Sequence, residues 1–225
     1  MRNEINYIDL FSGAGGMSLG FDQAGFNNIF SVDIEPSFCE TYKTNFPKHN
    51  LIQKDISKLS NEEIKSLIGN QIIDVIIGGP PCQGFSMAGN IGRKFIDDSR
   101  NQLFREFARI VEIVQPSYFV MENVARLFTH NKGETKKEII ELFKKMNYNV
   151  DCKVVNTADF GIPQVRNRVL FIGNRISNNI VFQTRHYGAG RKLGNLYDNQ
   201  TPHFDHLVAK NYSIQISRAV IIPIN

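Results

Sequence analysis

Gly78-Gly79-Pro80-Pro81-Cys82-Gln83-Gly84-Phe85-Ser86 follows directly on Ile72-Ile73-Asp74-Val75-Ile76-Ile77. The reading of this junction decides the fold. The first part is a short, mostly β-branched apolar run broken only by Asp74, the pattern of a strand covered on both faces. Regularity then stops. Two glycines permit close backbone approach, and two prolines fix φ and remove two amide donors. Cys82 is thereby set on a stiff, non-helical turn past the carboxyl end of a strand, the edge at which open α/β sheets bind ligands. A buried structural cysteine is the plainer alternative, but a core cysteine needs no such loop.

Outward from this junction the chain alternates strand and helix patterns, with no internal repeat and no low-complexity linker. Strands are predicted at Ile5 to Phe11, Asn28 to Asp33, Leu51 to Ile56, Ile72 to Ile77 and Tyr118 to Glu122. Helices are predicted at Gly16 to Ala24, Ser37 to Asn45 after Pro36, Asn61 to Ile68, Asn101 to Val114 and Glu134 to Met146. This is the signature of an α/β, doubly wound, mostly parallel sheet. Tyr148 to Asn156 and Arg168 to Gly173 then read as two strands with no long helix between them, a closing hairpin. After Asn174 the alternation fades.

With 225 residues, 42% of them hydrophobic, the chain has enough apolar material for one large domain or a domain with an appendage. Met1-Arg2-Asn3-Glu4-Ile5 opens no apolar signal region, and no uninterrupted run approaches the roughly 18 apolar residues of a membrane span. A soluble cytoplasmic protein with no membrane partner is expected. Cys39, Cys82 and Cys152 are odd in number and lack a CxxC pair, which argues against disulfides, a zinc site or a redox pair. No metal is expected; His203 and His206 have no further clustered ligands beside them. The formal charge of +4 resides in the last segment, where Arg175, Arg185, Arg191, Lys192, Lys210 and Arg218 face only Asp198 and Asp205. Such a tail is compatible with a polyanionic partner or with a solvated basic surface.

The first strand runs into Asp9-Leu10-Phe11-Ser12-Gly13-Ala14-Gly15-Gly16, a glycine loop that opens a helix and so offers bare backbone and helix-terminal N–H groups to a ligand. Asp33, at the end of the second strand, is placed to accept hydrogen bonds from ribose hydroxyls. Asp55-Ile56, at the end of the third, is suited to an adenine amino group and ring face. Three strand ends thus converge on a nucleoside-shaped site. Glu122 ends an otherwise apolar strand, where desolvation should raise its pKa and make it a proton donor. Arg166 and Arg168, two residues apart in extended chain, point to one face and can recognise carbonyl, carboxylate or phosphate oxygens. An ion pair between Glu122 and one of these arginines is the alternative. A cysteine hydrolase would need an imidazole base, and His49, His130, His186, His203 and His206 all lie outside these motifs.

Taken together, these residues resemble the C5-cytosine DNA methyltransferase family over roughly residues 5 to 174. The motifs occur in order: DLFSGAGG at Asp9 to Gly16, an acid at Asp33, Asp55-Ile56, PPCQGFS at Pro80 to Ser86, DSRNQLF at Asp98 to Phe104, ENV at Glu122 to Val124, and QVRNR at Gln164 to Arg168. The resemblance implies a Rossmann-like S-adenosyl-L-methionine-dependent methyltransferase fold, with S-adenosyl-L-homocysteine as product. It assigns Cys82 as nucleophile, Glu122 to the base, and Arg168 with Arg166 to the cytosine O2 side. The cofactor would be held by Phe11, Ser12, Gly13, Gly15, Gly16, Asp33, Ile34, Asp55, Ile56, Pro80 and Leu103, with Ile34 under the adenine and Leu103 near the methionine end. Gln83 and Ser86 would lie near the flipped nucleotide's backbone, and Arg93 and Lys94 near phosphates of double-stranded DNA.

The implied function is DNA (cytosine-5)-methylation, in a restriction-modification context. A tRNA cytosine-5 methyltransferase and an inactive DNA-binding relic are the alternatives. The expected division is residues 1–174 as catalytic domain and 175–225 as a basic extension. In the resembled family QxRxR is followed by a variable target-reading domain and two more motifs. Only about fifty residues follow it here, so half of a split enzyme, completed by a second polypeptide, or a truncated inactive copy is expected.

Overall fold

The computed structural model describes residues 4–81, 101–160 and 164–176, together with Ile162, Ile180 and Phe182. Seven strands form one sheet: β1 (Ile5–Leu10), β2 (Phe26–Asp33), β3 (Leu51–Gln53), β4 (Val75–Gly78), β5 (Tyr118–Val124), β6 (Asn149–Asn156) and β7 (Asn167–Asn174). Their order is β3-β2-β1-β4-β5-β7-β6. The first five are parallel, and β7 runs antiparallel between β5 and β6. The doubly wound architecture and the closing hairpin are both present.

The helices are α1 (Gly16–Gln23), α2 (Pro36–Asn45), α3 (Asn61–Ile68), α4 (Gln102–Val114), α5 (Arg126–Thr129) and α6 (Glu134–Lys145). Three helices start where their sequence supplies a terminus: glycine before α1, proline at the first turn of α2, and a Ser60–Glu63 capping box at α3. On α4, Phe104, Phe107, Ala108 and Val111 recur at helical spacing and are buried. They pack with Phe143 of α6 against Ile8, Leu10, Ile76, Phe119 and Met121 on one face of the sheet. The other face buries Tyr7, Val75, Ile77, Val120 and Ile172 with Phe21 of α1. Strand alternation sends consecutive residues to opposite cores, which is why β1, β4 and β5 carry apolar residues on both faces. No helix among the described residues is long and apolar enough to cross a membrane.

Two strands are shorter than their apolar runs, and in both cases a carboxylate captures the backbone. β3 stops at Gln53 because Asp55 accepts the Ser57 N–H at 3.0 Å and caps a 3-10 turn, Ile56–Lys58. β4 begins at Val75 rather than Ile72. Asp74 there accepts the Asn6 N–H at 2.7 Å, the Asn6 side chain donates to the Ile72 carbonyl at 2.9 Å, and Ile72 is left 65% exposed. β5 runs past Glu122 to Val124, because β7 pairs with it along that whole length. The short helix α5 and the turn His130–Gly133 carry too few periodic residues to be seen in the sequence.

Gly173 in β7 pairs with Phe119 in β5, and a Cβ at 173 would overlap the Phe119 ring. That ring is fully buried and packs 4.2 Å from Phe143 and 5.2 Å from Tyr148, centroid to centroid, so it has little room to retreat. Gly173→Ala is therefore expected to destabilise the fold by about 1–3 kcal/mol, the usual range for overpacking a core. An unchanged urea midpoint would show that the ring can yield.

Candidate active site

The carboxyl ends of β1, β2 and β4 and the turn after β3 open on a pocket of about 440 Å3. Of the residues expected at a cofactor, Phe11, Gly13, Asp33, Ile34, Asp55, Ile56 and Leu103 line it. Asp33 also braces the glycine loop: one oxygen accepts the Gly13 N–H at 2.7 Å and the other the Glu35 N–H at 2.9 Å. Each carboxylate oxygen keeps a further lone pair for a ligand hydroxyl. Asp55 takes both Ser57 donors, backbone and hydroxyl, on Oδ1, which holds its carboxyl below the usual range. Oδ2 takes part in neither bond.

Ser12, Gly15, Gly16 and Pro80 do not line the pocket. Ser12 is buried and continues the sheet by donating its N–H to Val32 at 3.0 Å, while its hydroxyl has no partner among the described residues. Gly15 sits at φ 95° as the N-cap of α1, where a Cβ would overlap Phe46. Gly16 opens the helix. Phe11, beside them, is held at φ 61°, a conformation uncommon outside glycine. Glu35, Phe38 and Lys54 line the pocket without having been singled out in the sequence. Ile34 and Phe38 are 61% and 50% exposed, an open apolar wall next to two carboxylates. Their i, i+4 spacing ahead of Tyr42 was the available signal.

Beneath the glycine loop lies a polar network that, apart from Asp9, lies outside the motifs. Asp9 is 1% exposed and accepts the Ser18 hydroxyl at 2.6 Å. Ser18 shares a hydrogen bond with Tyr42 at 2.8 Å, and Tyr42 in turn meets Ser31 at 2.7 Å and His49 Nδ1 at 2.9 Å. His49 Nε2 lies 3.1 Å from Asp22, which accepts the Tyr7 hydroxyl. Burial pushes the Asp9 carboxyl up to about 7, the Ser18 hydrogen bond opposing it and the Asp33 charge adding to it.

The second half of the site is Glu122. Its Oε1 lies 2.6 Å from Arg168 Nε, across the antiparallel β5–β7 pair. Burial raises the Glu122 pKa, while Arg168 first and Arg166 second pull it down, and burial prevails. The anticipated desolvation and the anticipated ion pair thus coexist. A Cβ at Gly79 would lie 3.3 Å from Glu122 Oε2, so bare backbone faces this carboxylate. Asn123, next along β5, is buried and donates its side-chain N–H to the Pro80 carbonyl at 2.9 Å. The root of the Pro80-Pro81 turn is thereby tied to the strand that carries Glu122. Cys82, Gln83, Ser86, Arg93 and Lys94 lie outside the described residues.

Both raised acids have readable consequences. Asp9 holds a proton in the folded state up to about pH 7 that an unfolded chain loses near 4, so stability should fall as pH rises across that window. Asp9→Asn should flatten this dependence and gain stability at pH 8. Equal pH slopes for the two proteins in chemical denaturation would refute it. For Glu122, Arg168→Met removes the larger lowering influence, so the carboxyl should titrate still higher in 13C-detected NMR; a downward move would show that burial is not dominant.

The chain matches the family model for C-5 cytosine-specific DNA methylase over residues 5–218. It is 58% identical over 178 residues to the type II methyltransferase M1.HphI of Haemophilus parahaemolyticus, covering 79% of this chain and 48% of that one. It is 40% identical over 195 residues to M.AquIA of Picosynechococcus sp., covering 82% and 78%. Among solved structures it resembles one described as a DNA modification methyltransferase encoded within a prophage (E. coli), with 40% identity and a TM-score of 0.65 over 76% of this chain and 47% of that one. A Spodoptera frugiperda DNMT2 mutant follows at 26% identity and a TM-score of 0.63, covering 82% and 54%. The chain spans about half the length of most of these relatives. On the family model and these identities, it belongs to the C-5 cytosine-specific DNA methylase family.

Proposed function

We propose that this chain carries the catalytic machinery of a DNA (cytosine-5)-methyltransferase that uses S-adenosyl-L-methionine and acts within a restriction-modification system. The observation that supports it most is the shared sheet edge. A nucleoside-sized pocket and a raised-pKa carboxylate paired with arginine lie on either side of the turn that leads into Cys82.

The pocket residues fit the cofactor. Ile34, Phe38 and Leu103 offer apolar surface for a ring and an aliphatic chain, Asp33 has lone pairs for ribose hydroxyls, and Asp55 Oδ2 has room for an amino donor. The volume of about 440 Å3 lies within the range of small-molecule sites. We assign the remaining motif residues, Ser12, Gly15, Gly16 and Pro80, to shaping the loops around it. The chemistry that group supplies is an electrophilic methyl on sulfonium, with S-adenosyl-L-homocysteine as product.

The chain's own part begins at cytosine, whose C5 is too weak a nucleophile unaided. The Cys82 thiolate adds to C6, forming an S–C6 bond and pushing the ring electrons toward N3 and O2. Glu122, protonated or hydrogen-bonding at N3, offsets the charge created there, and Arg168 with Arg166 faces O2. After C5 has been substituted it loses its proton, and elimination of Cys82 restores aromaticity. C6 is stacked inside a duplex, so the base must leave the helix at a cost of a few kcal/mol. Gln83 and Ser86 are assigned to the flipped nucleotide, and Arg93 and Lys94 to phosphates.

Target choice needs side chains that reach base edges. We assign it to protein outside residues 1–174, either farther along the polypeptide or on a second one, with residues 175–225 as a basic lead toward it. The M.AquIA relative, 78% covered, is little longer than the matched segment, which supports the two-polypeptide form. Rapid, sequence-defined methylation by the isolated 225-residue protein would argue against it.

Cys82→Ala should abolish methyl transfer while leaving S-adenosyl-L-homocysteine binding nearly unchanged. Duplex DNA with 5-fluorocytosine at the target should trap the unsubstituted protein as a covalent adduct, since the fluorine cannot leave as a proton does. The transfer and trapping assays need the chain together with its target-reading protein, whereas the binding assay uses the chain itself. Turnover by the Cys82→Ala protein would sink the mechanism, and transfer to tRNA in place of DNA would change the substrate.

A further inference from the structure

We infer that Arg109, in the middle of α4, is a positioning residue for the adenine-side wall of the pocket, acting through the turn that carries Asp55 and Ile56. This rests on the cofactor reading above. The side chain reaches from α4 to the segment between β3 and α3 and spends four of its five N–H groups there and on its own helix. Nη2 donates to the carbonyls of Leu59 at 2.9 Å and Ile56 at 3.3 Å, and Nη1 donates to the Asn61 side chain at 2.6 Å. Nε donates to Glu106 at 2.7 Å, which fixes the plane of the fork from behind.

Packing already holds part of the turn, since Ile56 and Leu59 are buried in the core, and the Lys54 N–H just before it donates to the Asp33 carbonyl at 3.0 Å. The turn's internal hydrogen bonds run from Ser57 to Asp55, from Lys58 to Asp55 and from Leu59 to Ile56, all within five residues. The Ser60–Glu63 capping box fixes the start of α3 but not the turn before it. The Lys54–Glu63 pair, at 2.6 Å, is solvent-exposed and correspondingly weak. Arg109 is the side chain that bonds the Ile56 and Leu59 carbonyls to another element, and that element is informative. α4 also carries Leu103, so one helix sets an apolar wall directly and the carboxylate wall through a guanidinium. A ligand-binding carboxylate needs such support to stay within a fraction of an ångström of its working position.

The consequence concerns one group of the ligand. If Arg109 positions Asp55, its loss should erase recognition of the adenine amino group more than binding in general. S-adenosyl-L-homocysteine and S-inosyl-L-homocysteine differ there, the second presenting a carbonyl where the first presents an amino donor. Calorimetric titration of both into the unsubstituted protein should show a preference for the adenosyl compound of about tenfold or more, the worth of a hydrogen bond to a charged group. In Arg109→Met the preference should fall to about twofold or less. Arg109→Lys, which keeps the stem and the charge but not the fork, reads the same ratio should the methionine variant fail to fold.

A folded variant that keeps the full preference overturns the inference, whether its affinity for both compounds is unchanged or reduced in parallel; the parallel loss is what a merely structural role produces. An unsubstituted protein that binds without preference overturns it too. One that binds neither compound removes the cofactor reading itself and this inference with it.

Discussion

Between Leu10 and Gly78 there is room for backbone only. The two residues pair at the carboxyl ends of the adjacent central strands β1 and β4, and a Cβ on Gly78 would overlap the Leu10 carbonyl. Parallel strands end at one edge, and a close pair at the centre makes the loops that leave them neighbours from their first residue. One of these is the glycine loop, and the other leads through Pro80 and Pro81 to Cys82. The rest of the site depends on that contact: Asp33 braces the first loop from β2, and Asn123 braces the second from β5. A sheet spread by one side chain at this point would move two loops apart that have to work on the same molecule.

Burial acts on two acids here with different outcomes. Glu122 is desolvated but has Arg168 at 2.6 Å, so its proton affinity is set by two opposing influences, of which burial prevails. Asp9 is more completely buried and is bonded by Ser18 rather than by a cation, with one oxygen lacking any partner among the described residues. Its proton is held up to about pH 7, and the network through Ser18, Tyr42 and His49 connects it to the surface near Asp22. Below that pH a carboxyl of this kind stiffens a loop without placing a negative charge beneath it.

The fold was legible because its strands are buried on both faces and so appear as β-branched runs, while the lack of a long helical pattern between residues 156 and 167 of the sequence gave away the hairpin. Strand ends were misread at Ile56 and Ile72 because hydrophobicity says nothing about a carboxylate that captures the backbone. In the site, the acids and glycines declared themselves by following strands. What stayed hidden were the partnerships across the chain. Asn123 meets Pro80 over 43 residues of separation and Arg109 meets Leu59 over 50, and no local pattern encodes such pairs. Phe38 was missed for another reason: an exposed aromatic on a helix is ordinary until the pocket beside it is known.

The reversal of β7 also governs where the polypeptide goes next. Because this strand runs against its neighbours, it brings Arg168 to the working edge at its beginning and releases the chain at Asn174, on the far edge. Eight residues of strand at about 3.3 Å each make that displacement roughly 25 Å. Ile180 and Phe182 lie against the core on the α1 side of the sheet. Asn174 is thus an attachment point held at arm's length from the Glu122–Arg168 pair.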